Sequence, residues 1–145
     1  MEFKTRIPFA EMLGMELQRF DPDEAEIHLQ LRDGLTNSWG VAHGGVTMSL
    51  LDVVMAHAAR SPSVAGGDAQ PRVVTIEMKT SFMRPGEGRL IATGRRLHRT
   101  ASMAFCEGFV HSTAGLLVGH ASATFKYLRG LPVAGRRVEK PDASD

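Results

Sequence analysis

The chain has 145 residues, of which 43% are hydrophobic and 23% are charged, and its formal net charge is +1. This length predicts one domain, and the balance of charges argues against a dedicated nucleic-acid-binding protein, which would carry a basic excess. No apolar run of about 18 residues is present, so we expect no membrane-spanning segment. A charged N-terminus without an apolar signal core, and a single cysteine, Cys106, which cannot form an internal disulfide, together predict a cytoplasmic protein.

The first part of the chain predicts a short helix and two strands. The helix is expected at residues 7–14, where Pro8 stands in the first turn and Gly14 ends it. A strand of mixed pattern is expected around residues 15–20. A second strand, at residues 24–31, alternates apolar and polar side chains, which is typical of a strand with one face buried.

Residues 43–60 form the only long helix candidate, and this segment is apolar nearly all round, which predicts a buried helix. Four strand candidates follow it: 72–83, 88–98, 102–112 and 115–128. One buried helix and about six strands, four of them consecutive, predict an α+β domain in which an antiparallel sheet wraps around a central helix. We expect this domain to span residues 1–128 and residues 129–145, which lack hydrophobic periodicity, to form a disordered tail.

Asp52 is an acid within this apolar helix. Because burying an unpaired carboxylate is costly, we expect it to be paired, protonated or placed at a wet cleft. A structural ion pair with Arg60 or another arginine is one explanation. Another is chemistry involving Gly44 and Gly45 at the start of the helix, where unpaired N–H groups can polarise a carbonyl. Alternatively, Gly44 and Gly45 could form an ordinary turn without any role in catalysis.

The spacing of these residues constrains any catalytic interpretation. Gly44 and Asp52 are separated by about 12 Å on one helix, at 1.5 Å per residue. One reacting carbon cannot contact both groups. If both act on one substrate, the acid must come from a second copy related by a two-fold axis, so the catalytic interpretation predicts a homodimer with sites at its interface.

The region around these glycines contains a recognisable motif, which consists of Asn37, Gly40, His43, Gly44 and Gly45, followed by Asp52 nine residues after the histidine. It resembles the hotdog-fold acyl-CoA thioesterases, in the branch typified by the phenylacetate-pathway thioesterases. The resemblance implies hydrolysis of acyl-CoA thioesters, aryl or medium-chain aliphatic, to free acid and coenzyme A. It also implies a homotetramer built as a dimer of dimers. Because thiolate is a good leaving group, we expect neither a metal nor another cofactor.

The resemblance also implies residue roles. The backbone N–H of Gly44 would polarise the thioester carbonyl, helped by Asn37. Asp52 of the partner subunit would deprotonate a water molecule or attack directly. His43 would support the site, either near the leaving thiolate or by shaping the turn. Gly45 would let the substrate approach the backbone closely.

Thr75 matches the position where the family uses a Ser or Thr to hold the catalytic water. Strict alternation along its strand, however, places Thr75 on the face of Glu77 and Lys79, opposite the apolar side chains. Thr75 could then act in catalysis only if that end of the strand contacts the partner subunit.

An excess of arginines follows Thr75 in the chain: Arg84, Arg89, Arg95, Arg96 and Arg99. They are either solvent-facing strand residues or ligands for the phosphates of coenzyme A. Arg84 and Arg99 stand at expected strand ends and are the preferred phosphate ligands.

Two other functions remain open at this point. One is a hotdog hydroxyacyl dehydratase or hydratase, although the histidine–acid pair of those enzymes is not evident. The other is a non-catalytic acyl-CoA-binding or regulatory module, which an ion pair of Asp52 inside its own subunit would favour. The six histidines show no metal-ligand spacing, and Cys106 stands among apolar residues as expected of a core residue rather than a nucleophile.

Overall fold

The computed structural model describes residues 1–62 and 71–128. The expected tail at 129–145 lies outside these residues. The elements, in chain order, are α1 (Pro8–Leu13), β1 (Met15–Asp21), β2 (Glu24–Gln30), a 3-10 turn (Asp33–Leu35), α2 (Gly44–Arg60), β3 (Arg72–Phe82), β4 (Arg89–Arg99), β5 (Met103–His111) and β6 (Leu117–Leu128). Each predicted helix and strand is present, with ends that differ by a few residues at most.

The strands form a six-stranded sheet in the order β1-β2-β4-β5-β6-β3, and every pairing is antiparallel. The α+β architecture predicted from the sequence is therefore confirmed. Strands β1 and β3 form the two edges. Among the described residues, no helix is long and apolar enough to cross a membrane.

Helix α2 packs against one face of this sheet and contacts all six strands. Leu50, Leu51, Val54 and Met55 are fully buried along one side of the helix. The approach is closest at β4, where a Cβ atom on Gly94 would lie 2.6 Å from the carbonyl oxygen of Val54. A side chain at this position would push the helix away from the sheet, so glycine sets the distance between the two layers.

The expectation that α2 is buried all round is wrong for the single chain. Met48 is 38% exposed, and Ser49, Asp52, Val53 and Ala56 are half-buried on the same stripe. The sheet therefore covers only one side of the helix in the single chain. The stripe that stays open is apolar except for a serine and an aspartate.

The C-terminal end of α2 is held by polar side chains from the sheet. Arg96, whose side chain is 7% exposed, donates to the carbonyl oxygen of Ala59 at 3.1 Å and through Nε to the Asp23 carboxylate at 2.9 Å. The Tyr127 hydroxyl donates to the same Ala59 oxygen at 2.6 Å. These contacts satisfy an orphan carbonyl at the helix end and fix the position of α2 on the sheet.

Candidate active site

The first turn of α2 leaves one backbone donor available. His43 caps the helix: its Nδ1 accepts the N–H of Gly45 at 2.9 Å. The carbonyl oxygen of His43 accepts the N–H groups of Val46 and Thr47. The N–H of Gly44 has no acceptor among the described residues, so it is the free donor at the positive end of the helix dipole. The two glycines therefore differ in their backbone N–H groups: that of Gly45 donates to His43, whereas that of Gly44 is available to a ligand.

Asn37 reaches this turn from the preceding loop. Its Oδ1 accepts the N–H groups of Trp39 at 2.9 Å and Val41 at 3.4 Å, which fixes the loop. With the oxygen engaged, the remaining hydrogen-bonding capacity of the side chain is its NH₂ group, a donor.

Asn37 and Gly44 line one cleft of about 350 Å³, which we call the glycine cleft. Phe82 and Arg84 lie in the same cleft. The Arg84 Nη1 donates to the carbonyl oxygen of Leu117 at 2.8 Å, and the side chain is exposed. The structure therefore brings three of the predicted site residues together: two donors suited to a carbonyl oxygen and one cation beside them.

Asp52 lies in a different place, where it is bonded to Thr75. The Thr75 hydroxyl donates to Asp52 Oδ1 at 2.7 Å. No arginine or lysine of the described residues pairs with Asp52, and Arg60 donates instead to the Pro71 carbonyl and the Thr5 hydroxyl. The ion pair considered from the sequence does not form within residues 1–62 and 71–128.

The strict alternation expected for β3 is wrong, because the strand contains a bulge. Thr75 pairs with Phe125, but Glu77 pairs with the adjacent Thr124, so Ile76 is an extra residue. Phe125 is fully buried against α2, which places Thr75 on the helix face. The Thr124 hydroxyl donates to Glu77 Oε1 at 2.7 Å on the opposite face. The bulge therefore lets Thr75 reach Asp52 within its own subunit.

Asp52 and Thr75 line a second cleft, of about 380 Å³, which we call the carboxylate cleft. It extends along α2 toward His57 and Arg60, and Thr5 of the N-terminal segment and Arg72 of β3 also line it. Sequence reasoning did not single out His57 as a site residue. Its spacing of five residues from Asp52 corresponds to a rotation of about 140° around the helix, so the sequence gave no signal that the two side chains line one cleft.

The two clefts share no lining residue. Gly44 and Asp52 are eight residues apart on one straight helix, about 12 Å along its axis. A single chain therefore does not bring the Gly44 N–H and the Asp52 carboxylate to one reacting carbon.

The structure does not bring Arg99 to the cleft that contains Arg84. The Arg99 guanidinium stacks over the Tyr127 ring, 4.3 Å from its centroid. The Arg84 N–H bonds to the carbonyl of Val118, at the other end of β6. Val118 and Tyr127 are nine residues apart on this strand, about 30 Å. A contact of Arg99 with coenzyme A stays a prediction.

Cys106 and the histidines offer no further reactive centre. The Cys106 side chain is buried, and this burial raises the pKa of its thiol to about 12, so the nucleophilic thiolate is not formed at neutral pH. His28 and His120 each lie beside a glutamate, at 2.6 and 2.9 Å. Among the described residues, no three His, Cys, Asp or Glu side chains are grouped so that they could hold a metal ion.

The fold and the motif agree with a known family. Residues 40–118, which include Gly44, Asp52 and Thr75, match the model of the thioesterase superfamily. The chain belongs to the thioesterase superfamily. It is therefore an enzyme of the thioester-hydrolysing class, and the predicted hotdog fold is confirmed.

Individual relatives of this thioesterase cover most of its length. It is 28% identical over 135 residues to the medium/long-chain acyl-CoA thioesterase YigI of Escherichia coli K12, covering 85% of this chain and 87% of that one. Among solved structures, the conserved protein PA5202 from Pseudomonas aeruginosa has a TM-score of 0.78 and 30% identity, covering 86% of this chain and 97% of that one. The E. coli PaaI protein from the phenylacetic acid degradation operon has a TM-score of 0.75 at 22% identity, covering 84% and 85%, and supports the fold.

Proposed function

We propose that this thioesterase hydrolyses acyl-CoA thioesters, with aryl or medium-chain aliphatic acyl groups, to free acid and coenzyme A. We propose further that each site is built by two copies of the chain. The observation that carries the proposal is the separation of the two clefts, one with a free N–H donor at Gly44 and one with the Thr75-bonded carboxylate of Asp52. The acyl-CoA activity named for the relative YigI supports the choice of substrate.

The edge strand β3 supports pairing with a second copy. It is 11 residues long and carries exposed apolar side chains, of which Ile76 and Phe82 are each 53% exposed. Long apolar edge strands promote association unless they are covered. Antiparallel pairing of two β3 strands about a two-fold axis would bring the open stripes of the two α2 helices together. Gly44 would then face Asp52 of the partner subunit. A dimer of such dimers gives the proposed homotetramer.

Hydrolysis would proceed with these groups alone. The Gly44 N–H and the Asn37 NH₂ donate to the thioester oxygen and stabilise the negative charge that develops there. A water oxygen attacks the carbonyl carbon as Asp52 takes its proton. The C–S bond then breaks, and the departing thiolate takes the proton from Asp52. Because Thr75 occupies Oδ1 of Asp52, the other carboxylate oxygen is available to the water. Direct attack by an Asp52 oxygen would instead expel the coenzyme A thiolate and form a mixed anhydride. Water would then open the anhydride to the free acid and the Asp52 carboxylate, and the second proton of the water would go to the thiolate.

Arg84 and Gly45 have supporting roles in this proposal. Arg84 would bind the phosphates of coenzyme A at the mouth of the glycine cleft, where its side chain is exposed. Gly45 would give the pantetheine arm room along the helix start, while His43 shapes the turn by accepting its N–H.

The proposal is tested by following thiol release from a panel of aryl- and alkyl-CoA thioesters. Asp52→Asn keeps the size and the acceptor for Thr75 but removes the base, so kcat should fall by about 100-fold or more. Asp33→Asn, in the 3-10 turn away from both clefts, is the matched control and should keep wild-type kcat. Full activity of a folded Asp52→Asn enzyme would contradict the assignment. Acyl-CoA binding without hydrolysis by the wild type would favour a non-catalytic binding module.

A further inference from the structure

Trp39 is the largest exposed apolar side chain of the described residues. Its side chain is 87% exposed, and it is the only tryptophan of the chain. Tryptophan is highly buried on average, because covering its ring system removes a large apolar area from water. Single exposed apolar residues are nevertheless common on protein surfaces, so exposure alone assigns no role to Trp39. Its position in the loop before α2 points to one.

Hydrogen bonds hold the loop that carries Trp39. The Trp39 N–H donates to Asn37 Oδ1 at 2.9 Å, and the Gly40 N–H donates to the Asn37 carbonyl oxygen at 3.0 Å. An antiparallel bridge between Thr36 and Ala42 closes the loop. The backbone of Trp39 is therefore fixed relative to Asn37 and to the start of α2. A side chain on such a preorganised loop makes a contact at a lower entropic cost.

The open stripe of α2 extends further than a second helix can cover. In the proposed dimer, Gly44 faces Asp52 of the partner subunit, so the two-fold axis passes midway between these positions, at Met48. Because α2 begins at Gly44, the partner's helix reaches only to the level of Asp52. Val53 and Ala56 lie beyond that level, are half-buried in the single chain and line the carboxylate cleft. A cover for this part of the stripe must come from another segment.

The loop before the partner's helix is the segment that continues along this stripe. Ala56 follows Asp52 by four residues, which places it about 6 Å beyond the level of Gly44 of the partner subunit. Trp39 precedes Gly44 by five residues, a segment that spans up to about 17 Å. Within residues 39–43, Trp39 has the only exposed apolar side chain with a large surface. The uncovered indole and the uncovered part of the cleft are therefore at matching levels along α2.

We propose that Trp39 packs over Val53 and Ala56 of the partner subunit and closes the open side of the partner's carboxylate cleft. This inference rests on the two-subunit site of the proposed function. An indole fits this surface, because Val73 and Leu128 make the other walls of the cleft apolar as well. Tryptophan in such a pocket is among the side chains that contribute most to an interface. The cleft beside Asp52 is then complete only in the dimer.

The fluorescence of the wild type tests whether the indole is covered, because Trp39 is the only tryptophan. In the ligand-free protein, acrylamide should quench this emission several-fold less than that of N-acetyltryptophanamide. Sedimentation at the same concentration gives the oligomeric state. Full quenching in a dimer or tetramer would overturn the contact and leave the two-subunit site standing, whereas a monomer would overturn both.

A nitroxide label identifies what covers the indole, since nitroxides quench fluorescence only at short range. Mixed dimers combine a wild-type chain with a labelled Trp39→Phe/Ala56→Cys chain, so that the one tryptophan and the label are on different subunits. Most of the emission should be lost relative to the unlabelled dimer. The same label on Gln18→Cys, an exposed position on the opposite edge strand β1, should quench little. Burial raises the pKa of the Cys106 thiol to about 12, which keeps it from reacting with the label.

Activity separates this inference from the proposed function. Trp39→Ala should lower kcat/KM for hexanoyl-CoA by about 10-fold, the effect of about 50 Å² of lost apolar contact, and Trp39→Phe should lower it less. Leu97→Ala removes an exposed apolar side chain outside both clefts and should keep the wild-type value. Quenching between subunits without hydrolysis of any thioester would refute the proposed function and support the contact. Wild-type kcat/KM in folded Trp39→Ala, together with no quenching by the label at position 56, would overturn the contact alone.

Discussion

A mixed dimer of two inactive variants gives the sharpest test of a site shared between subunits. One chain carries Asp52→Ala and loses the base. The other carries Asn37→Asp, which keeps the Oδ1 acceptor for the loop N–H groups of Trp39 and Val41 but replaces the NH₂ donor by a charge beside the developing oxyanion. Each variant alone should be nearly inactive, since losing one such donor costs about 100- to 1000-fold.

The expected recovery follows from the separation of about 12 Å between Gly44 and Asp52. In a mixed dimer, one site combines Asn37 of the Asp52→Ala chain with Asp52 of the Asn37→Asp chain and is intact. The other site carries both substitutions. Random pairing after joint refolding makes about half of the dimers mixed, and each has one intact site of two. Thiol release should therefore return to about a quarter of the wild-type rate.

Two distinguishable tags and tandem purification establish that subunits have exchanged, and hydrolysis is then measured on the purified mixed dimer. A site contained in one chain would leave a lesion in every site, so mixing would restore nothing. Inactivity of a verified mixed dimer would refute the shared site.

Two further predictions concern binding and packing. Arg84→Ala should raise KM for coenzyme A thioesters more than for short thioesters without the nucleotide, with kcat little changed. The same pair of assays on Arg99→Ala tests the other preferred arginine. An equal loss of kcat/KM on both kinds of substrate would exclude nucleotide binding by the substituted arginine. Gly94→Ala should destabilise the fold by about 1–3 kcal/mol in urea unfolding, because its Cβ meets the Val54 carbonyl at 2.6 Å. Gly108→Ala meets side chains rather than backbone, with Met55 Cγ at 2.9 Å and Leu51 Cδ2 at 3.1 Å, and should cost less; a reversed order would show that backbone contact does not set the layer spacing.

The sequence predicted the elements well because their signals are local. The alternation at residues 24–31 corresponds to β2, and the long apolar segment corresponds to α2 within a residue at each end. The burial of α2 on all sides was wrongly predicted for the single chain. An apolar composition indicates that a surface is buried, but it does not show whether the same chain or a second chain covers that surface. In the single chain, part of that surface is the open stripe around Met48.

The bulge in β3 could not be predicted from the sequence. Residues 74–79 alternate regularly between apolar and polar side chains, and an extra residue at Ile76 depends on how β3 pairs with β6, which is a long-range property. For the same reason, the hydrogen bond between Thr75 and Asp52 was not foreseen within one subunit. The capping role of His43 was one of two alternatives, and only the distance from Nδ1 to the Gly45 N–H distinguishes it.

The two adjacent glycines at the start of α2 differ in the contacts that an alanine side chain would make in their place. An alanine Cβ at Gly45 would lie 3.0 Å from Nδ1 of His43, so the capping contact itself disfavours a side chain there. At Gly44 the nearest described atoms belong to the Phe82 ring at 3.6 Å, an ordinary van der Waals distance, and the backbone is not left-handed. Alanine is more favourable than glycine by up to about 1 kcal/mol in a helix interior, and Gly44 gives up part of this difference at the first position of α2. Among the described residues no contact compensates for that lost stability, which is the result we expect if the missing methyl group at position 44 leaves room for the proposed thioester substrate at the Gly44 N–H.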